Sequence, residues 1–398
     1  MSKKPFDGVR ILDFTRVVAG PFAAHQFAVL GADVVKIESP QGDLLRRTDL
    51  APEWSERGLA PAFMALSGNK RSLKIDMKRP EAIEIIKRLV VEADVVLENF
   101  RPGVMDRFGL GYEVLEALNP RLIYCAISGF GSQGPERTTA SYDGKIQAMS
   151  GLMSITGDPS GGPMRAGFAI ADLAAGLTAA FALSSALYQR THTGRGQFVD
   201  VSMFESMLSL LSAQVAEYAV AGHHHGQAGN LSMTRIPTAD RFACQGGYLV
   251  LAVLGDRAFA SLMETIGRPD VLDDPRFATE ADRMSHGPEL KTVIEGALAG
   301  RDAEEWEKRL TEADVPCSAI LTIAQATEHP QHEHRRFLQE VATPFGPVRL
   351  MNNGFELAHG SGSIDSPPPQ LGEHSEQILL EAGYDVSEIA AFRQAEII

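Results

Sequence analysis

Asp172 is the only acid in "PMRAGFAIADLAAGLTAAFALSSALYQRTHTGRGQ", residues 163–197, a run of mostly small or apolar residues. A carboxylate at the start of such a helix can cap it by accepting a backbone N–H. A helix N-terminus also favours the ionised form and lowers its pKa. An ionised carboxylate with little water around it is a nucleophile toward an acyl group. The residues alone leave cap and nucleophile both open. Two basic clusters suit phosphate groups, because Arg offers a forked donor set and Lys a point charge. One is "GNKRSLKID" (68–76), with Lys70, Arg71 and Lys74, and the other is "ENFRPGVMDRFGL" (98–110), with Arg101 and Arg107. Solvent exposure explains either cluster equally well.

Other motifs carry less. "GFGSQG" (129–134) matches G-x-G-x-x-G after a strand pattern, but Pro135 and the polar "ERTTASYDG" follow it, where the dinucleotide fingerprint needs a helix. The triple histidine 223–225 lies in a polar stretch without acid or cysteine at ligand spacing, so no metal is expected. Cys125, Cys244 and Cys317 are far apart and form no Cys-x-x-Cys, which fits a reducing compartment.

The elements that must position these groups follow from length and periodicity. A chain of 398 residues that is 44% hydrophobic predicts two or three domains with real cores. A net charge of −14 argues against nucleic-acid binding while leaving room for a local basic pocket. The N-terminal lysines are not followed by an apolar signal segment, so a cytoplasmic protein is expected. An acid inside a bilayer is costly, so 163–197 reads as a buried helix of a soluble domain, without membrane association, ended at Gly194 and Gly196.

Residues 9–38 read strand, helix, strand. The alternation continues through "EAIEIIKRLVVEA", "DVVLENF", "YEVLEALNP", "RLIYCAIS" and "QFVDVSM", ahead of one long helix over "FESMLSLLSAQVAEYAVAG". This predicts an α/β fold, a doubly wound parallel sheet covered on both faces. From 241 a hairpin over "RFACQGGYLVLAV", turning at Gly246-Gly247, and helices near 256–267, 287–299 and 302–313 predict a smaller α+β domain. The expected boundaries are 1–221 for the first part of the large domain, 222–330 for the small domain, and 331–398 for a return to the large one.

"FDGVRILDFTRVVAGPFAAHQFAVLGADVVKIE", "GNKRSLKIDMKRPE", "ADVVLENFRPGVMDRFGLGYEVLEALNPRLIYCAISGFG", "SYDGKIQAMSGLMSITG", "ADLAAG", "TGRGQFVDVSMFES" and "LGEHSEQIL" together resemble the family III CoA-transferases along nearly the whole chain. The resemblance implies transfer of CoA between an acyl-CoA and a small carboxylic acid through an aspartyl anhydride and an aspartyl-CoA thioester. Asp172 stands at the catalytic aspartate. The resemblance carries CoA contacts onto Val17, Asn69, Lys70, Arg71, Asn99, Phe100 and Arg107, and a site-lining role onto Tyr142 and Asp143. Arg16 and Arg235 are candidates to pair with a second carboxylate. It implies no permanently bound cofactor, coenzyme A entering as a thioester substrate, and two subunits interlocked as a homodimer.

Two departures shape the expectation. Oxalate-using members carry a run of glycines over the site, and residues 222–240 have none. Members that racemise α-methyl thioesters place His-Asp where this chain has Tyr142-Asp143. The alternative activity, an α-methylacyl-CoA racemase, therefore lacks one expected proton carrier.

Overall fold

Strand and helix patterns alternate through the first half of the chain, and they fold as a parallel sheet with helices between its strands. The computed structural model describes residues 3–48 and 50–398. Along the chain run β1 (Arg10–Asp13), α1 (Ala19–Val29), β2 (Asp33–Glu38), β3 (Lys70–Lys74), α2 (Pro80–Val91) and β4 (Val95–Glu98). There follow α3 (Val104–Arg107), α4 (Tyr112–Leu118), β5 (Ile123–Ser128), α5 (Asp143–Met149), α6 (Ile170–Thr193) and β6 (Gln197–Ser202). The first six strands pair in the order β3-β2-β1-β4-β5-β6, all parallel. The central strands β1, β4 and β5 are largely apolar on both faces because both are covered. Ile11, Val34, Val95 and Ile123 meet α1 and α6 on one side, while Leu12, Val35, Val96 and Tyr124 meet α2 and α4 on the other.

The helix expected over 204–222 is two. α7 (Met203–Leu210) and α8 (Ser212–Ala221) meet at Leu211, whose ψ of 24° leaves the helical range. α5 occupies "DGKIQAM", which the sequence pattern left without an element.

α6 is apolar and long enough to cross a bilayer, with mean hydropathy 1.6 in its most apolar stretch. Only one of its faces is buried, through Ala171, Ala175, Ala179, Leu183 and Ala186, whereas Leu177, Phe181 and Tyr188 are exposed. The expectation of a wholly buried helix is thus corrected. Its end at Gly194 holds: this residue adopts φ +72°, the left-handed conformation that ends helices without a Cβ penalty.

The smaller unit comprises 153–164 and 224–329, so the short segment 153–164, which the sequence pattern left in the large domain, groups with it. Its antiparallel sheet orders β7 (Arg241–Cys244), β8 (Gly247–Leu251) and β9 (Cys317–Ala319). Helices α9 (Asp256–Thr265), α10 (Gly287–Leu298) and α11 (Ala303–Glu312) share with it a core of Phe242, Leu249, Leu262, Ile294 and Trp306. Cys244 pairs with Gly247, so the hairpin turns at Gln245-Gly246, one residue earlier than expected, with Gly246 at φ +71°.

Residues 330–398 return to the large unit. There β10 (Leu338–Thr343) and β11 (Gly346–Met351) form a hairpin, and α12 (Ser375–Glu381) and α13 (Val386–Gln394) add Ile378, Leu379 and Ile389 to the second core face.

Candidate active site

Strand order reverses beside β1, whose neighbours are β2 and β4, and loops leaving the carboxyl ends of β1 and β4 diverge there. Open α/β sheets bind ligands at such a point. A cavity of about 220 Å³ lies at this edge, walled by Arg16–Ala19 after β1, Asn99–Pro102 after β4 and Ile127–Gly129 at the end of β5, with Tyr142, Asp143 and Asp172. Asn99 ties the first two walls: its Oδ1 accepts from Arg16 N–H and its Nδ2 donates to Arg16 O, both at 2.8 Å. The Arg16 guanidinium lies 5.1 Å from the Phe100 ring centroid.

Asp172 reaches the cavity because α6 packs closely on α1. A Cβ on Gly176 would lie 2.7 Å from Ala19 O and 2.9 Å from Phe22 Cδ1. Four residues earlier on the same helix, Asp172 shares that face and lines the cavity with Val18 and Ala19 at the start of α1. The small residues of the run are therefore the condition for close helix approach.

The helix-cap expectation for Asp172 does not hold. The N-cap is Ala169, Asp172 is the third helical residue, and its carboxylate makes no hydrogen bond among the described residues. Its expected pKa depression is also overturned: burial, followed by the like charge of Asp143, pushes it up to about 6. Both causes act against the helix N-terminus, which favours the ionised form. Asp143 takes the capping role, accepting Ala171 N–H at Oδ2 (2.8 Å) and the Gln147 amide at Oδ1 (2.6 Å), with Arg165 3.3 Å away.

Val17, Asn99, Phe100, Arg16, Tyr142, Asp143 and Asp172 are thus brought together. Four expected CoA contacts, Asn69, Lys70, Arg71 and Arg107, are not. Lys70 is fully buried, its Nζ 2.9 Å from Asp13 Oδ2 and 3.0 Å from Pro21 O. Arg71 is held by Asp33 (2.7 Å) and Glu381 (2.9 Å). Asn69 spends its side chain on the returning chain, donating to Ser363 O and accepting from Asp365 and Ser366 N–H. Lys70 and Arg71 begin β3, level with Val34 and Val35 of β2, and neither lines the cavity. Arg107 ends α3 and is exposed outside the cavity wall. Arg235 belongs to the smaller unit, in a turn closed by its N–H to Ser232 O.

Arg101 and Arg137 line the cavity beside Arg16. Among the described residues none of these three guanidinium groups pairs with a carboxylate, unlike the buried Arg46, Arg190 and Arg283. Arg137 had a sequence signal, a lone cation between "GFGSQG" and "SYDG", hidden in a stretch that reads only as a break in the dinucleotide fingerprint. A second cavity of about 900 Å³ shares Phe100, Ser128 and Arg137 with the first. Glu98 lines it, accepting Phe100 N–H at 2.7 Å, and burial pushes its pKa up to about 8.

Residues 6–375 match CoA-transferase family III. The chain is 35% identical to succinyl-CoA–D-citramalate CoA-transferase of Chloroflexus aurantiacus, covering 95% of this chain and 94% of that one. It is 37% identical to acetyl-CoA:oxalate CoA-transferase of Acetobacter aceti, over 90% and 91%. A crystal structure of a CAIB/BAIF family protein from Brucella suis superposes with a TM-score of 0.87 at 34% identity, over 96% and 100%. The chain belongs to the family III CoA-transferases.

Proposed function

We propose that this enzyme moves CoA from an acyl-CoA, succinyl-CoA foremost, to a small dicarboxylic acid, with Asp172 as the covalent carrier. An Asp172 oxygen attacks the donor thioester carbonyl, the C–S bond breaks, and CoA leaves as thiolate from a mixed anhydride. The thiolate attacks the Asp172 carbonyl carbon, releasing the donor acid and leaving an aspartyl-CoA thioester. The acceptor carboxylate attacks that thioester, forming a second anhydride and thiolate. Thiolate attack on the acceptor acyl carbon then yields the new acyl-CoA and restores the Asp172 carboxylate. No proton is gained or lost. Because the anhydride hydrolyses readily, a small cavity beside apolar α6 favours transfer over loss to water.

The observation that carries this reading is Asp172 itself: a largely buried carboxylate without a hydrogen-bond partner among the described residues, on a cavity at the switch point of the sheet. With its pKa near 6 it is mostly ionised at neutral pH and more basic than an ordinary aspartate. Arg16 pairs with the distal carboxylate of the acid, Val17, Asn99 and Phe100 hold the thioester arm, and Arg107 meets CoA phosphate at the outer rim. The dicarboxylate class is supported by the citramalate and oxalate relatives and by three unpaired arginines around one cavity. A racemase reading gains no support, since no histidine lines the cavity among the described residues. The exposed apolar residues Leu177, Phe181 and Tyr188 of α6 support a second copy of the chain as their cover, in a homodimer.

Incubation with succinyl-CoA and hydroxylamine, followed by peptide mapping, tests the carrier. A hydroxamate on the peptide holding Asp172, with transfer abolished in a folded Asp172→Ala variant, is the expected result. Substantial transfer by that variant would overturn the assignment.

A further inference from the structure

Lys36 and Asp43 form a buried ion pair, 1% and 5% exposed with Nζ to Oδ2 at 3.0 Å, and neither lines the cavity. Burying two charges costs desolvation that their attraction only partly returns, and an apolar pair of similar volume is often as stable. Stability alone therefore does not account for the pair.

Both partners also reach the backbone after β1, and Asp43 in addition caps the turn that follows it. Lys36 Nζ donates to Thr15 O at 2.9 Å, and Asp43 Oδ1 accepts Val17 N–H at 3.3 Å and Leu45 N–H at 2.9 Å. Between the two gripped residues, Asn99 clamps Arg16 from the β4 side. The turn so held is strained: Val17 has φ +65°, a conformation that β-branched residues avoid and that persists only where the surroundings impose it. Relaxation of Val17 would rotate the peptide that leads into Val18 and Ala19, the part of the wall beside Asp172.

We infer that Lys36 and Asp43 are positioning residues, which hold the Thr15–Val17 turn in its left-handed form and so set the cavity wall against Asp172 without touching substrate. The inference rests on the reading of this cavity as the transfer site. Misplacement of a wall by about 1 Å can cost about 100-fold in turnover.

The test uses the full-length protein, succinyl-CoA and a dicarboxylate acceptor. Lys36→Met/Asp43→Leu removes both charges together, leaving neither unpaired. The expected variant melts cooperatively, loses about 100-fold in kcat and changes KM by about threefold or less. Adding Val17→Gly, since glycine adopts positive φ without strain, returns about tenfold or more of the lost turnover. Turnover of the double variant within about threefold of the parent, or no rescue by Val17→Gly, would overturn the inference. If the double variant does not fold, Asp43→Ala with and without Val17→Gly is read by the same rescue. Asp172→Ala, run alongside, separates the two readings: an active Asp172→Ala removes the site assignment, whereas an inactive one beside a fully active double variant removes only the positioning role.

Discussion

The backbone N–H of Ala171 donates to Asp143 Oδ2 at 2.8 Å, so a carboxylate from α5 caps the helix whose next residue is Asp172. The two acids divide one task. Asp143, fixed also by Gln147 and Arg165, accepts a free N–H of the helix start, and Asp172 has no donor among the described residues, as the proposed carrier requires. The charge of Asp143 then adds to burial in making Asp172 a stronger base.

The pH dependence of transfer follows from this pair. Attack needs ionised Asp172, so kcat/KM for the acyl-CoA is expected to fall below about pH 6. Asp143→Asn keeps an acceptor for Ala171 N–H and deletes the like charge, moving the acid limb to lower pH. The move is smaller than the whole displacement from 3.8, because burial is the larger cause. An unmoved limb in steady-state profiles would refute the coupling.

The same shift makes a statement about stability. A carboxyl raised in the folded state binds more protons there than in the unfolded chain, so stability falls as pH rises from about 4 to about 6 and stays reduced above. A rise from 3.8 to about 6 corresponds to about 3 kcal/mol at most. Asp172→Asn is therefore expected to be inactive yet more stable than the parent at pH 7.5, with the gap closing near pH 4. Urea melts at both pH values measure it.

How much of this was readable in advance depends on distance along the chain. β1, α1 and β2 follow local periodicity, and Asp172 stood out because a lone acid in an apolar run is conspicuous. Its raised pKa was not legible, since it comes first from burial in the fold and then from Asp143, 29 residues away. Lys70 shows the opposite failure: beside Arg71 it looks like a phosphate cluster, and only the fold reveals Asp13 against its ammonium.

That correction has its own consequence. Lys70→Ala removes the paired ammonium from buried Asp13, leaving only the more distant Lys36 and the Thr15 hydrogen bonds, so a loss of roughly 3 kcal/mol is expected in denaturant melts. Where the variant remains folded, its affinity for CoA should show the parent's salt dependence, since the lysine does not line the cavity. A salt dependence that weakens with the substitution would return Lys70 to the phosphate site.

Gly176 joins packing to chemistry most directly. A methyl group there meets Ala19 O at 2.7 Å, and backbone cannot yield as a flexible side chain can, so α1 and α6 must separate. Overpacking of this kind costs roughly 1–3 kcal/mol. The displaced helix start carries the wall opposite Asp172, so Gly176→Ala should lower both the melting temperature and kcat. Gly296 in α10 provides the contrast: a Cβ there meets nothing within 4 Å, and alanine favours a helix by about 1 kcal/mol over glycine. Gly296→Ala should therefore raise the melting temperature and leave kcat unchanged. Calorimetry and initial rates on both variants check the pair, and equal behaviour of the two would show that the close approach of α1 and α6 does not hold Asp172 in place.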